Sequence, residues 1–180
     1  MGKLIGSRYA SSLFDVGLEL GKIEEFYGEL EAINKHFNQE EKLFQIFIHP
    51  RISKDEKRSM INEIFGKNIS NELINFLYII IDKTREKNLF EISEEYKNIY
   101  DEHQGIVDVI AVTAIPMKKN SINKMQAVLE NKLDKKIRLC NEVDKSIIGG
   151  VLLKMDNKVI DNTLISQLKS MEDLIKNISL

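Results

Sequence analysis

The hydrophobic period of this chain changes once, near Gly105. Before that point apolar residues recur every three or four positions, the spacing of one face of an α-helix. Beyond it they alternate, the spacing of a strand with one covered face. A chain ordered in this way packs helices on helices and then builds a small sheet with helices of its own. Charge divides at the same place. Residues 1–104 hold 14 Lys+Arg and 19 Asp+Glu, net −5, whereas residues 105–180 hold 12 and 9, net +3, which together return the −2 of the whole. The expected fold class is α+β, mainly α. Two domains are expected, a six-helix bundle over 1–104 and a small β-α-β-β-β-α domain over 105–180.

Within the first part, Ile5, Tyr9, Leu13, Val16 and Leu20 mark one face of a first helix. Gly6, Ala10 and Gly17 lie on the adjoining face, where small side chains admit a close neighbour. Ile23, Phe26, Tyr27, Leu30, Ile33 and Phe37 mark a second helix, and Leu43 to Ile48 a short third that stops before Pro50. Ser53-Lys54-Asp55-Glu56 is a capping box that starts a fourth. That helix is expected to end at Gly66 in a left-handed conformation. Ser70 starts a fifth helix to about Asp82, and a sixth runs from about Leu89 to Asp101. The fifth contains Leu73 to Ile81, nine residues that are apolar except for Asn75; by composition the run also suits a buried strand, and the helical pattern on both sides makes it a helix. Such a helix is covered all round by the bundle, or its outer face binds a partner.

In the second part Val107 to Ala114 reads as a strand closed by Pro116. An amphipathic helix with Ile122, Met125, Val128, Leu129 and Leu133 follows. Ile137 to Val143 alternates as a strand. Ile148 to Met155 and Lys158 to Ile160 flank Asp156-Asn157, a two-residue hairpin turn. Asp161 is placed to cap a last helix striped by Leu164, Leu168, Met171, Ile175 and Ile178.

The residues that carry chemistry are sparse. One cysteine, Cys140, excludes a disulfide framework and a multi-cysteine metal site, and suits a reducing cytosol. Its mid-strand position reads as a small core residue. His36, His49 and His103 lie in separate segments without the spacing of metal ligands. No phosphate-cradling glycine loop is present, and Gly149-Gly150 reads as a strand bulge or a close backbone approach. Glu40-Glu41, Glu94-Glu95 and Asp101-Glu102 point about 100° apart on a helix and form a solvated face rather than carboxylate pairs. Lys118-Lys119 and Lys135-Lys136 lack interleaved aromatics. Arg8, Asp15 and Glu19 interrupt the opening apolar pattern, so no secretory or transit leader is expected. The longest apolar run falls short of the roughly 20 residues of a membrane span. The expectation is no catalytic residue, no cofactor, no metal and no nucleic acid. Surplus apolar helix surface and contrasting charge suit a protein that joins other proteins.

Two segments carry a resemblance. Gly6-Ser7-Arg8-Tyr9-Ala10-Ser11-Ser12-Leu13-Phe14 is similar to the opening A-x-x-Y-A-x-A-L/F-F pattern of the δ subunits of bacterial F-type ATP synthases. These are relatives of the mitochondrial oligomycin-sensitivity-conferring protein. Gly6 and Ser12 replace common alanines. Ile137 to Lys154, with its alternating strand, acid, glycine pair and hydrophobic strand ending in a base, resembles the family's C-terminal signature. It continues through Val159-Ile160-Asp161, and Asn162-Thr163 stand where Gly-Ser is common. Gly105 to Pro116 resembles the family's central strand, so the likeness spans essentially the whole chain in order.

The resemblance implies a non-catalytic stator subunit. It would join the catalytic head to the peripheral stalk and resist rotor torque during proton-driven ATP synthesis. It implies that an amphipathic N-terminal helix of the α subunit docks between helices 1 and 5, with Tyr9, Ser12, Leu13, Val16, Asn75, Tyr78 and Ile79 as groove residues. It also implies that the C-terminal domain meets the C-terminal region of the b subunit, for which the positive charge of that domain and the edge from Val151 to Met155 suggest the place. The location implied is the cytoplasmic face of the bacterial cell membrane, peripheral and through the complex only. The alternative is an RNA-binding helical module of the antitermination-factor type, against which the acidic balance of residues 1–104 argues. An enzyme with an unrecognised site is a further alternative, for which the sequence offers no titratable cluster.

Overall fold

The computed structural model describes residues 2–155 and 158–170. By contact the chain divides into two compact units, Met1–Asp101 and Glu102–Leu180. It is mainly helical with one mixed sheet among the described residues, so the α+β class holds.

Before Gly105 run α1 (Gly2–Leu20), α2 (Ile23–Gln39), α3 (Glu41–Phe47), α4 (Lys54–Phe65), α5 (Asn71–Asp82) and α6 (Leu89–Gln104), with a 3-10 turn at Glu86–Asn88. Local chemistry sets several of these ends. Ser53 Oγ accepts from the Glu56 N–H while the Ser53 N–H donates to Glu56 Oε2 at 2.9 Å, so the capping box starts α4 as expected. Ser70 caps α5, and its N–H and Oγ both donate to the Glu29 carboxylate of α2, at 2.6 and 2.7 Å. Gly66 departs from expectation. It ends α4 in the right-handed region, φ −58°, and the helix closes because the Asn68 and Ile69 N–H groups both turn back to the Phe65 carbonyl.

The core of this unit is aromatic at one end. Phe37 meets Phe44, Phe47 and Phe65 at centroid distances of 5.4, 5.3 and 5.6 Å. Leu73, Leu77, Ile80 and Ile81 of α5 and Leu89, Ile92 and Tyr96 after it are fully enclosed. The Tyr96 hydroxyl donates to the Ile23 carbonyl at 3.0 Å, and burial pushes its pKa above the ordinary phenol value.

One prediction arises at the α4 start. Hydrogen bonds from the Ser53 backbone and then its side chain hold the Glu56 carboxyl below the ordinary glutamate value. A carboxylate depressed in the folded state contributes stability that is complete above its ordinary value and fades as pH falls through the lower one. Glu56→Gln therefore lowers the thermal midpoint near neutral pH, and the gap to wild type closes on acidification. Thermal melts across a pH series read both.

After Gly105 come β1 (Ile106–Thr113), α7 (Lys119–Leu133), β2 (Lys136–Val143), β3 (Gly150–Met155) and β4 (Lys158–Thr163), and residues 164–170 are helical. The sheet order is β2-β1-β3-β4, with β1 and β2 parallel and the other pairs antiparallel. The parallel pair needs a crossover, which α7 supplies. Val109, Ile137 and Met155 form the core of this unit, with Val107, Leu129, Leu139 and Leu153 packed on it. Asn141 closes the end of β1. Its Nδ2 donates to the Ala111 carbonyl at 2.7 Å and to Thr113 Oγ1 at 2.8 Å, and its Oδ1 accepts from the Met117 N–H.

Three expectations fail here. Val151 to Met155 is not an edge, because β3 pairs on both sides; the edges of the sheet are β2 and β4. Cys140 is exposed, not core. The alternation that buries Ile137 puts Cys140 on the opposite face of edge strand β2 with Arg138 and Glu142. Asp161 belongs to β4, and the cap of the helical segment after it is Thr163, whose Oγ1 accepts from the Ser166 N–H at 3.2 Å. Asp161 supports that cap, accepting from the Thr163 N–H at 2.9 Å and from Ser166 Oγ at 2.6 Å. The Asp156-Asn157 turn and the stripe positions Met171, Ile175 and Ile178 lie outside the described residues.

Candidate partner-binding site

The face that α1 turns inward is the small-residue face. Gly6, Ala10, Leu13, Phe14 and Gly17 are buried. A Cβ on Gly6 would stand 3.0 Å from the Glu91 carbonyl oxygen of α6, and one on Gly17 would stand 3.1 Å from Ile23 Cγ2. The missing side chains let α1 sink towards α6 and the start of α2. That rotation leaves much of the larger apolar stripe outside: Tyr9 is half-buried, and Val16 and Leu20 are 41% and 49% exposed.

On α5 the opposite face is left open. Six of its residues are buried, but Asn75 is exposed, Tyr78 half-buried and Ile79 50% exposed. Asn75 and Ile79 are four apart and share a face of the helix, with Tyr78 beside them. Arg58 of α4 borders this strip, its guanidinium 5.5 Å from the centre of the Tyr78 ring and 2.6 Å from Asp82 Oδ1. The other end of α5 is tied to the start of α2, where Lys22 Nζ donates to Glu72 Oε1 at 3.1 Å. That bond holds the Lys22 ammonium above its ordinary range. The Glu72 carboxyl is held below its own range by its backbone amide and then by Lys22.

The two helices touch at Tyr9 and Phe76, whose rings meet edge to face with centroids 6.4 Å apart. Beside that contact lies an open cavity of about 290 Å³, lined by Leu4, Ile5, Arg8, Tyr9, Ser12 and Arg85. Of the residues anticipated from sequence, Tyr9 and Ser12 line this cavity. Val16, Asn75, Tyr78 and Ile79 stand on the outer faces of the two helices, and Leu13, 3% exposed, points into the core. Leu4, Arg8 and Arg85 were not anticipated. A signal existed for Arg8, which has no carboxylate three or four residues away on either side.

This surface offers apolar contact, hydroxyls and two guanidinium groups, with no nucleophile beside a base. Apolar contact bordered by polar groups is the chemistry by which a groove takes an amphipathic helix. Among the described residues no group of three or more His, Cys, Asp or Glu is placed to hold a metal ion, and no helix is long and apolar enough to cross a membrane.

The family model described as ATP synthase delta (OSCP) subunit matches residues 5–175. The chain is 40% identical over 178 residues to an ATP synthase subunit delta of Alkaliphilus oremlandii (strain OhILAs), covering 99% of each chain. It is 37% identical over 178 residues to that of Alkaliphilus metalliredigens (strain QYMF), and 32% over 179 to that of Clostridioides difficile (strain 630), again covering 99% of each. Its fold is similar to that of a chain in the cryo-EM structure of the Toxoplasma gondii mitochondrial ATP synthase hexamer. The TM-score is 0.71 at 19% identity, and the match covers 94% of this chain and 96% of the other.

Proposed function

We propose, because the chain belongs to the ATP synthase delta (OSCP) subunit family, that it is a non-catalytic stator subunit joining the catalytic head of an F-type ATP synthase to its peripheral stalk. In this reading residues 1–104 are the six-helix domain that receives the N-terminal helix of the α subunit, and residues 105–180 are the domain that meets the C-terminal region of the b subunit. The protein resists rotor torque and lies at the cytoplasmic face of the bacterial membrane only as part of the complex.

The observation that carries the reading is the open strip on α5 beside the underfilled face of α1. Ile79 is 50% exposed, on a helix whose other large aliphatic residues are buried. Val16 and Leu20 are left outside because the glycine face of α1 is the one turned in. An amphipathic helix laid there would cover these residues and fill the cavity at Tyr9 and Ser12, with Asn75 as a polar contact that sets its register. In the C-terminal unit, Ile115 and Ile148, 74% and 75% exposed, border a cavity of about 540 Å³ and give the b subunit apolar surface to meet.

The test is calorimetric titration of the full chain with a peptide of the cognate α-subunit N-terminus. Tight one-to-one binding with a negative heat-capacity change is expected. Ile79→Asp weakens it more than tenfold, at least about 1.4 kcal/mol, while the circular dichroism spectrum is retained. A folded Ile79→Asp variant with unchanged affinity would falsify the groove assignment.

A further inference from the structure

We infer that Arg8 and Arg85 form a carboxylate-reading pair, and that the helix docked on this unit must carry an acidic residue at the edge of its apolar stripe. The inference rests on the α1–α5 docking reading and adds to it the charge of the occupant.

Both arginines line the cavity with Leu4, Ile5, Tyr9 and Ser12, both residues are exposed, and no carboxylate residue lines that cavity. Neither group has a carboxylate partner among the described residues, in a unit where acids outnumber bases. The reasons are local. On α1 the positions three and four away from Arg8 are Ile5, Leu4, Ser11 and Ser12, so the helix supplies no acid. Ser12 Oγ is engaged with the Arg8 carbonyl at 3.0 Å. Near Arg85 the acids are committed elsewhere: Asp82 pairs with Arg58 at 2.6 Å, and Glu86 pairs with buried Lys57 at 2.7 Å. The Arg85 backbone is held as well, its N–H donating to the Ile80 carbonyl at 2.9 Å and its carbonyl accepting from Asn88. Two exposed arginines on one cavity that no carboxylate lines, with Asp82 and Glu86 already paired, complement a negative group arriving on a partner. A guanidinium meets a carboxylate with two parallel hydrogen bonds, which orients as well as attracts.

The experiment uses the full chain and the synthetic α-subunit N-terminal peptide, alongside a peptide whose acidic residues are replaced by their amides. The double variant R8Q/R85Q is expected to bind the native peptide about tenfold or more weakly, with most of its salt dependence gone. The amide peptide is expected to bind wild type and R8Q/R85Q equally. If the native peptide binds, and Ile79→Asp weakens it, but R8Q/R85Q changes neither affinity nor salt dependence, the pair reads nothing and this inference alone falls. If the native peptide fails to bind folded wild-type protein, the docking reading falls and takes this inference with it. If R8Q/R85Q abolishes binding of inorganic phosphate while leaving peptide affinity intact, the pair is a small-anion site and the inference is overturned.

Discussion

Replacing Lys57 by methionine lowers the stability of the protein by about 3–5 kcal/mol, more than most single substitutions. Lys57 of α4 and Glu86 of the 3-10 turn are both almost fully enclosed, 5% and 4% exposed at their side chains, with Nζ and Oε1 2.7 Å apart. Moving either charge out of water costs several kcal/mol, and only the partner offsets it. With Lys57 gone, Glu86 is left enclosed without a partner, which is worse than having neither. The double variant Lys57→Met/Glu86→Leu therefore recovers most of the loss. Urea unfolding followed by far-ultraviolet circular dichroism measures both. A single variant as stable as wild type would mean that water reaches Glu86 and that the pair is not enclosed in solution. A recovered double variant has a second use. The pair fixes the segment that carries Arg85, so a stable protein without it tests whether peptide affinity depends on that fixation.

The second large effect is expected at Gly150 and not at its neighbour. Gly150 has φ +85°, a conformation that costs an L-residue about 1–3 kcal/mol. A Cβ there would also collide with the Asn162 carbonyl oxygen and stand 2.9 Å from Thr163 Cα. Those atoms are the backbone of β4, paired with Gly150 itself, so relief requires β3 and β4 to part. Gly150→Val should cost about 3 kcal/mol or more and remove hydrogen-exchange protection from the β3–β4 amides. At Gly149 the atom in the way is Leu164 Cδ1 at 2.8 Å, the movable end of an exposed side chain, and φ is not positive. Gly149→Ala should shift the midpoint only slightly. Equal losses at the two positions would contradict the difference drawn between them.

These glycines illustrate how much of the molecule is legible in its sequence. That the pair marks a bulge or a close backbone approach follows from its place in a strand, because a strand interior disfavours glycine without such a reason. Which glycine meets backbone and which meets a side chain depends on the register of β4 beside them, which sets Thr163 opposite Gly150. The same holds along α1. Its helical period and its small-residue stripe are visible from Ile5 to Leu20. Close packing on Glu91 and Ile23 then decides that the glycines face in and that Val16 and Leu20 remain outside. Arg85 joined the candidate site only because the turn after α5 returns to α1, a relation between residues some eighty positions apart.

By itself, then, the sequence determined what short-range bonds and periodicity determine. The capping box at Ser53, the Ser70 start of α5, the helical character of Leu73 to Ile81 and the change from helices to strands at Gly105 all depend on groups within a few residues of one another. Tertiary structure decided the matters in which distant segments compete for the same space. It made β3 an inner strand, put Cys140 on an outer face, and moved the cap from Asp161 to Thr163. It also left Ile79, Arg8 and Arg85 facing outward. Period tells which residues share a face, but the choice of the face to bury is made by whichever packing leaves the fewest voids and unpaired groups, and that sum runs over the whole unit.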